Sequence, residues 1–211
     1  MKLIGQSSGM AYGELGPTHH SIAELAWLRS LPNLTIIVLS DRCKTAQPIR
    51  WAAAPDGPVL VRVSRMPVPD IDLPDRAFRA AQAELLRRGD DLANIVCGKT
   101  VRLAVAAADL LAGQGIGARV LNMATIARPD EAAVPAAAET GAILTFEQAS
   151  VRGWLGGPVA DLTCAHNSAP VERVGAPGFL PTGSAAWLFD RFGPTAPGIA
   201  AAARPALQRA R

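Results

Sequence analysis

The sequence GELGPTHHSIAELAWLRSLPN, from Gly13 to Asn33, is the most informative stretch of the chain. A tight glycine–proline turn presents two adjacent imidazoles, His19 and His20, directly before a helical pattern. Ser21 and Glu24 have the spacing of a capping box, which predicts that the helix begins at Ser21. Imidazoles with a pKa near neutrality can exchange protons with hydroxyl and carbonyl groups. The stretch therefore indicates a candidate site, although two loop histidines alone are also typical of an ordinary surface.

Short apolar segments alternate with helical patterns on both sides of this stretch. Strands alternating with helices are typical of an α/β protein with a parallel sheet. The segment at 78–88 fits either a short helix or a strand, and residues 66–76, rich in proline and aspartate, predict an extended linker. The strands are predicted at 2–5, 34–40, 59–64, 92–98, 118–123, 142–148 and 170–175.

Composition excludes several classes of protein. The chain has 211 residues, 49% of them hydrophobic, and a net charge of +3, which fits one large or two small globular domains. No basic run is interleaved with aromatic residues and no apolar run is long enough to span a bilayer, so nucleic acid and membrane partners are not expected. The three cysteines, Cys43, Cys97 and Cys164, form no CxxC pattern, which argues against disulfides and zinc and favours a reducing, cytoplasmic compartment.

Six segments carry a resemblance to the transketolase family. The first two resemble its pyrimidine-binding domain, and the other four resemble its C-terminal domain in the family's order. The resemblance implies the later part of a pyrimidine domain at 1–70, a linker at 71–80, and at 81–211 a three-layer α/β/α domain with a mostly parallel sheet. The segments are GPTHHSIAELAWLRSLPNLTIIVLSD (16–41), DGPVLVRVSRMPVPD (56–70), RRGDDLANIVCG (87–98), GIGARVLNMATIARPDE (115–131), AAETGAILTFEQ (137–148) and GGPVAD (156–161).

The resemblance also implies roles for individual residues. His19 matches the family's catalytic histidine, which faces the substrate, and Arg65 matches the arginine that binds the sugar phosphate. Two substrate positions depart from the family's pattern: Leu15 stands where an acidic residue is usual, and Ser7 where a second histidine is usual. A leucine cannot hydrogen-bond a sugar hydroxyl, so we expect the usual xylulose 5-phosphate and ribose 5-phosphate not to be preferred.

Family membership would make thiamine diphosphate and Mg²⁺ the cofactors. The GDG…N motif that binds the metal and the diphosphate has no counterpart in this sequence, and the family's activating glutamate lies before the position of Lys2. The resemblance therefore implies no cofactor- or metal-binding residue in this chain. It also implies a partial pyrimidine sheet whose exposed edge would favour aggregation, an isolated chain that is inactive, and a partner that supplies the N-terminal transketolase half.

Three functional interpretations follow from these expectations. The first is the C-terminal part of an enzyme that transfers a two-carbon ketol unit between sugar phosphates, working as a homodimer or a two-chain heterotetramer. The second is a non-catalytic, truncated remnant that serves only in dimerisation. The third is a part of an enzyme resembling 1-deoxyxylulose-5-phosphate synthase, which would also act on pyruvate.

Overall fold

Two β-sheets organise the computed structural model, which describes residues 1–71 and 77–210. The first sheet carries the residues before the predicted linker and the second carries those after it. A single 3-10 turn at Gly13–Leu15 interrupts the long loop after the first strand. In chain order the elements are β1 (Lys2–Gly5), α1 (Glu24–Leu28), β2 (Thr35–Val38), α2 (Cys43–Ala53), β3 (Val59–Arg62), β4 (Glu84–Arg87), β5 (Leu92–Val96), α3 (Thr100–Ala112), β6 (Ala118–Asn122), α4 (Ala133–Ala138), β7 (Ile143–Ser150), α5 (Gly156–His166), β8 (Val171–Ala176), α6 (Ala185–Phe192) and α7 (Ala196–Arg209).

The first sheet has three parallel strands in the order β1-β3-β2. The central strand β3 is buried along its whole length, as its run of branched apolar residues indicates. Strand β1 forms one edge, and its side chains Leu3 and Ile4 are exposed. An apolar strand at a sheet edge can pair with a further strand, so this edge is the least protected part of the sheet.

The second sheet has five strands in the order β4-β6-β5-β7-β8. All neighbours are parallel except β4 and β6, which run antiparallel. Helices α3 and α7 pack together on one face, and α4 and α5 pack together on the other. The result is the three-layer α/β/α arrangement expected from the sequence, and the ambiguous segment at 78–88 contains the antiparallel strand β4.

One buried hydrophobic cluster contains residues of both sheets. The amide of Val38 on β2 donates to the carbonyl oxygen of Ala124 at 2.8 Å, and the amide of Ile126 donates to the carbonyl oxygen of Ile36 at 3.0 Å. Trp154 packs in the same buried cluster as apolar residues of both sheets. The two sheets are therefore joined by backbone hydrogen bonds and by shared apolar packing.

The predicted capping box at Ser21 is wrong. Helix α1 begins at Glu24, and no side chain caps it. The backbone of Ser21 instead exchanges two hydrogen bonds of 3.0 Å with Gly9, which pairs the chain before α1 with the loop after β1. This pairing holds Ser21 outside the helix, so the spacing in the sequence had no helix start to cap.

Residues 72–76 of the predicted linker lie outside the described residues. On its near side Ile71 is buried, and on its far side Phe78 packs edge-on against Trp51 with ring centres 6.0 Å apart. The amide of Phe78 also donates to Gln47 Oε1 at 2.7 Å. Both described flanks of the segment are therefore packed against the domains. Within the described chain, no helix combines the length and the apolar character that a membrane crossing requires.

Candidate functional site

The carboxyl ends of β1, β2 and β3 meet at one edge of the first sheet because the three strands are parallel. Ligands of open parallel sheets bind in the crevice outside these ends. The loop at 6–20 follows β1, residues 39–42 follow β2, and residues 63–66 follow β3. The predicted residues Ser7, His19 and Arg65 all lie in these connections, so the topology brings their backbones to the same edge.

Tyr12 joins the two principal predicted residues. Arg65 Nη1 donates to the Tyr12 hydroxyl, and the Arg65 guanidinium lies over the Tyr12 ring at 4.6 Å from its centre. The other contact of Tyr12 is edge-on to the His19 ring, with ring centres 6.2 Å apart. His19 and Arg65 are exposed and Tyr12 is half-buried. A cation and an imidazole therefore face solvent side by side, held by one aromatic ring.

The orientation of His19 comes from the turn that precedes it. Its amide donates to the carbonyl oxygen of Gly16 at 2.9 Å, and its Nδ1 lies 3.0 Å from Thr18 Oγ1. Gly16 has a φ of 73°, and a Cβ there would lie 2.3 Å from Thr182 Oγ1, so only glycine fits. The contact to Thr18 leaves Nε2 as the ring nitrogen available to a ligand.

The second sheet holds this loop in place. Gln148 Nε2 donates to Ser8 Oγ at 2.8 Å, in a buried contact. At Gly9, with a φ of 65°, a Cβ would lie 2.3 Å from the carbonyl oxygen of Gln148. The amide of Gly183 donates to the carbonyl oxygen of Gly13 at 3.1 Å. The position of His19 therefore depends on residues more than 120 positions further along the chain.

The two positions that depart from the family's pattern differ in exposure. Ser7 is buried, has a φ of 63°, and its Oγ has no hydrogen-bond partner among the described residues. A positive φ is uncommon for a serine, and such strain is frequent at functional sites. Leu15 is 50% exposed on the 3-10 turn, two residues before Pro17. It adds an apolar surface beside the His19 turn.

Arg62 belongs to the core and not to the exposed edge. Its side chain is 2% exposed, and its Nη2 lies 2.6 Å from Glu24 Oε1 and donates to the carbonyl oxygen of Ser21 at 2.8 Å. Its guanidinium lies 5.7 Å from the centre of the Trp154 ring. Burial lowers the pKa of Arg62, and the Glu24 carboxylate opposes that shift. The residue thus ties β3 to α1 and to the second domain.

The glycines around 153–157 serve packing. The amide of Gly156 donates to Glu147 Oε1 at 2.7 Å, and a Cβ on Gly156 would lie 2.6 Å from Arg173 Cδ. Burial raises the pKa of Glu147 to about 8, with the Gly156 amide and Arg173 acting in the opposite direction. Because this amide already has an acceptor inside the protein, it does not form part of a phosphate cradle.

Among the described residues, no three His, Cys, Asp or Glu side chains are grouped closely enough to hold a metal ion. Glu14, the acidic residue nearest to the predicted site in the sequence, lies exposed on the 3-10 turn. What the site offers is one imidazole, one guanidinium and one phenol.

Sequence profiles of two domains cover most of the chain. The profile of the transketolase pyrimidine binding domain matches residues 1–70. The profile of the transketolase C-terminal domain matches residues 81–199.

Individual relatives agree with these matches. A 6-deoxy-6-sulfo-D-fructose transketolase subunit of Clostridium sp. (strain MSTE9) is 36% identical over 99% of this chain and 66% of its own length. An apulose-4-phosphate transketolase subunit of Phocaeicola vulgatus is 41% identical over 84% of this chain and 57% of its own length. A solved structure described as a split gene transketolase, inactive beta4 tetramer, superimposes with a TM-score of 0.93 at 32% identity, over 100% of this chain and 68% of that one. The chain thus spans between about half and two thirds of these two curated relatives.

Proposed function

The chain belongs to the transketolase family, and from that premise we propose that it forms the substrate-facing part of an enzyme that transfers a two-carbon ketol unit between sugars. The observation that carries the proposal is the Tyr12–His19–Arg65 cluster at the carboxyl edge of the first sheet. When bound, thiamine diphosphate supplies the stabilised carbanion that such a transfer needs. In this proposal Mg²⁺ and the diphosphate are bound by an N-terminal half on a second subunit.

The cluster suits the two tasks that a sugar substrate requires. His19 would exchange a proton with a substrate hydroxyl through Nε2, since Nδ1 is engaged by Thr18. Arg65 would bind the anionic end of the sugar, because a planar guanidinium offers two parallel donors. Tyr12 would hold both groups at a fixed separation.

The substrate we propose is a branched or less hydroxylated sugar that carries a terminal anion. Two relatives are named for 6-deoxy-6-sulfo-D-fructose and for apulose 4-phosphate, so sulfonates and phosphates both occur as end groups in this family. Arg65 can bind either group by donating charge-assisted hydrogen bonds to it. Leu15 and Ser7 would provide fewer hydrogen bonds to sugar hydroxyls than an aspartate and a histidine would.

The assembly we propose is a complex of two kinds of subunit in the cytoplasm. Its support comes from the two relatives named as subunits and from the solved structure described as a split gene product. Cys97 and Cys164 are free thiols, which fits a reducing compartment. Pairing of two copies through the second domain would give a dimer within that complex.

Reconstitution tests the proposed function. The chain is mixed with an N-terminal transketolase half, thiamine diphosphate, Mg²⁺ and an aldose phosphate that accepts the two-carbon unit. With a ketose phosphate or 6-deoxy-6-sulfo-D-fructose as donor, release of the shortened aldose is followed. We expect ketol transfer only in the complete mixture. A stable complex without transfer to any donor would favour a non-catalytic remnant, and consumption of pyruvate would favour the synthase activity.

Leu15→Asp should shift the preference of the reconstituted enzyme toward ordinary ketose phosphates. The new carboxylate could accept a hydrogen bond from a sugar hydroxyl, which is worth about 0.5–1.5 kcal/mol, or about 2- to 10-fold in kcat/KM. The measurement is the ratio of kcat/KM for xylulose 5-phosphate and for the preferred donor. Leu15→Asn has the size of aspartate and can also accept a hydrogen bond, so it separates the effect of the charge from that of the acceptor. An unchanged ratio in Leu15→Asp would contradict the proposed role.

Tyr12→Phe should raise KM for the anionic sugar with little change in kcat. The variant keeps the ring that packs against His19 and Arg65 but removes the hydroxyl that accepts from Arg65. Loss of one hydrogen bond to a charged group corresponds to about 1.5 kcal/mol, or about tenfold in KM. A fall in kcat with no change in KM would show that the hydroxyl does not position Arg65.

A further inference from the structure

A cavity of about 580 Å³ lies between the segment that follows Arg65 and the outer helices of the second domain. Its lining comes from Met66–Pro69, from Lys99 and the first half of α3, from α6, and from the start of α7. Its lining is mostly apolar, with Leu103 and Phe189 among the larger side chains. Concave, mainly apolar pockets with a few polar groups are the usual form of small-molecule sites.

One buried cation lines this cavity. Lys99 is 8% exposed, and its Nζ lies 3.3 Å from Met66 Sδ and 4.7 Å from the centre of the Phe189 ring. A thioether sulfur is a weak acceptor, and the ring offers only a cation–π contact. No carboxylate pairs with this ammonium group among the described residues. Burying a charge without an anionic partner costs free energy, so an anion bound in the cavity would stabilise the Lys99 ammonium group.

The surrounding charges favour an anion as well. Arg102 lies in the first turn of α3 and also lines the cavity, where the positive end of the helix dipole adds to its field. Asp190 on α6 is the acidic group of the lining, and Arg62 on β3 acts on Lys99 from the core side. The lining thus carries two cations, Lys99 and Arg102, and one carboxylate, Asp190. Burial lowers the pKa of Lys99 to about 8, and Arg62 acts in the same direction.

We propose that this cavity is a binding site for a small organic anion with an apolar body, such as a phosphate ester or a carboxylate. The anion pairs with Lys99 Nζ and is reached by Arg102, while the body packs against Leu103 and Phe189. The inference needs neither the Tyr12–His19–Arg65 cluster nor ketol transfer. Met66–Pro69 lines the cavity and directly follows Arg65 in the chain. A ligand in the cavity would therefore contact the segment next to the arginine proposed to bind the substrate.

Calorimetric titration of the full chain with phenyl phosphate and with benzoate tests the site, and inorganic phosphate and phenol serve as single-feature probes. We expect at least one of the two anions with a ring to bind at least about tenfold more tightly than phosphate or phenol. The tighter binder of the two shows whether the site prefers a phosphate ester or a carboxylate. Absence of binding by both ringed anions would overturn the proposal.

Variants connect binding to the named residues. Lys99→Met, which keeps the length of the side chain, should weaken binding at least about tenfold, and Arg102→Gln about threefold. Arg88→Gln, which removes an exposed charge that does not line the cavity, should leave affinity unchanged. Circular dichroism establishes that each variant is folded, and Arg102→Gln, on the exposed face of α3, gives the second test if Lys99→Met fails to fold. Equal affinity in wild type and both cavity variants would overturn the proposal.

The pH dependence separates Lys99 from a general surface charge. Lys99 is charged below its pKa of about 8 and neutral above it, so affinity for benzoate should fall as the pH rises from about 7 to about 9. Lys99→Arg keeps its charge throughout this range and should bind without that fall. A fall of equal size in Lys99→Arg would contradict the assignment of the anion to Lys99.

Discussion

Replacing His19 with alanine should lower kcat for ketol transfer by about 10²- to 10⁴-fold in the reconstituted enzyme. This range is the usual contribution of one positioned acid–base group. The imidazole is exposed at the carboxyl edge of the first sheet, and Thr18 fixes its orientation through Nδ1. KM should change much less than kcat, because Arg65, and not His19, binds the anionic end of the sugar in the proposed function.

His166 offers a matched control for this experiment. It is exposed near the end of α5, so His166→Ala should leave kcat unchanged. His19→Gln, which can still donate one hydrogen bond but cannot exchange a proton, should recover less than about a tenth of wild-type kcat. If His19→Ala keeps more than about a tenth of the wild-type kcat, His19 is not the acid–base group.

Arg62→Met should destabilise the protein by about 3–5 kcal/mol, the usual cost of breaking a buried ion pair from one side. The methionine fills part of the space but leaves the Glu24 carboxylate without the guanidinium that lies 2.6 Å from it. It also removes the donor to the carbonyl oxygen of Ser21 and the cation above Trp154. The measurement is the free energy of unfolding from denaturant titration of the chain, alone or in its complex.

An exposed ion pair provides the comparison. Arg42, whose side chain is 86% exposed, pairs with Asp70 at 2.8 Å, and Arg42→Met should cost at most about 1 kcal/mol. Combining Arg62→Met with Glu24→Gln should recover part of the loss, since no buried charge is then left alone. If Arg62→Met and Arg42→Met have the same effect, the buried pair does not stabilise the fold.

Most elements of the fold could be predicted from the sequence because they are local. The apolar runs at 34–40 and 92–98 became strands that run parallel to their neighbours, as their branched residues indicated. The start of α1 could not be predicted, because a tertiary pairing between Ser21 and Gly9 decides it. The antiparallel direction of β4 likewise depends on its neighbour β6, which lies more than 30 residues later.

The site shows the same division between local and distant information. The sequence indicated His19 and Arg65 because the turn at 16–20 and the segment after β3 resemble the family's pattern. Tyr12 did not, since its importance comes from two contacts that only the folded loop creates. One feature of the sequence could have indicated Tyr12. It is the one tyrosine of the chain, and it lies in a glycine-rich loop, where a tyrosine hydroxyl and ring usually make specific contacts. Gln148 gave no signal of its contact with Ser8.

The backbone contacts between β2 and residues 124–126 have a consequence for protein engineering. Although a proline-rich segment separates the two sheets in sequence, strand β2 completes its hydrogen bonding with the other sheet's connecting loop. Neither sheet is therefore a transplantable module. Chimeras that exchange the loop at 6–20 should carry residues 35–38 and 124–126 from the same parent. An artificial break in the polypeptide should be placed outside these two segments.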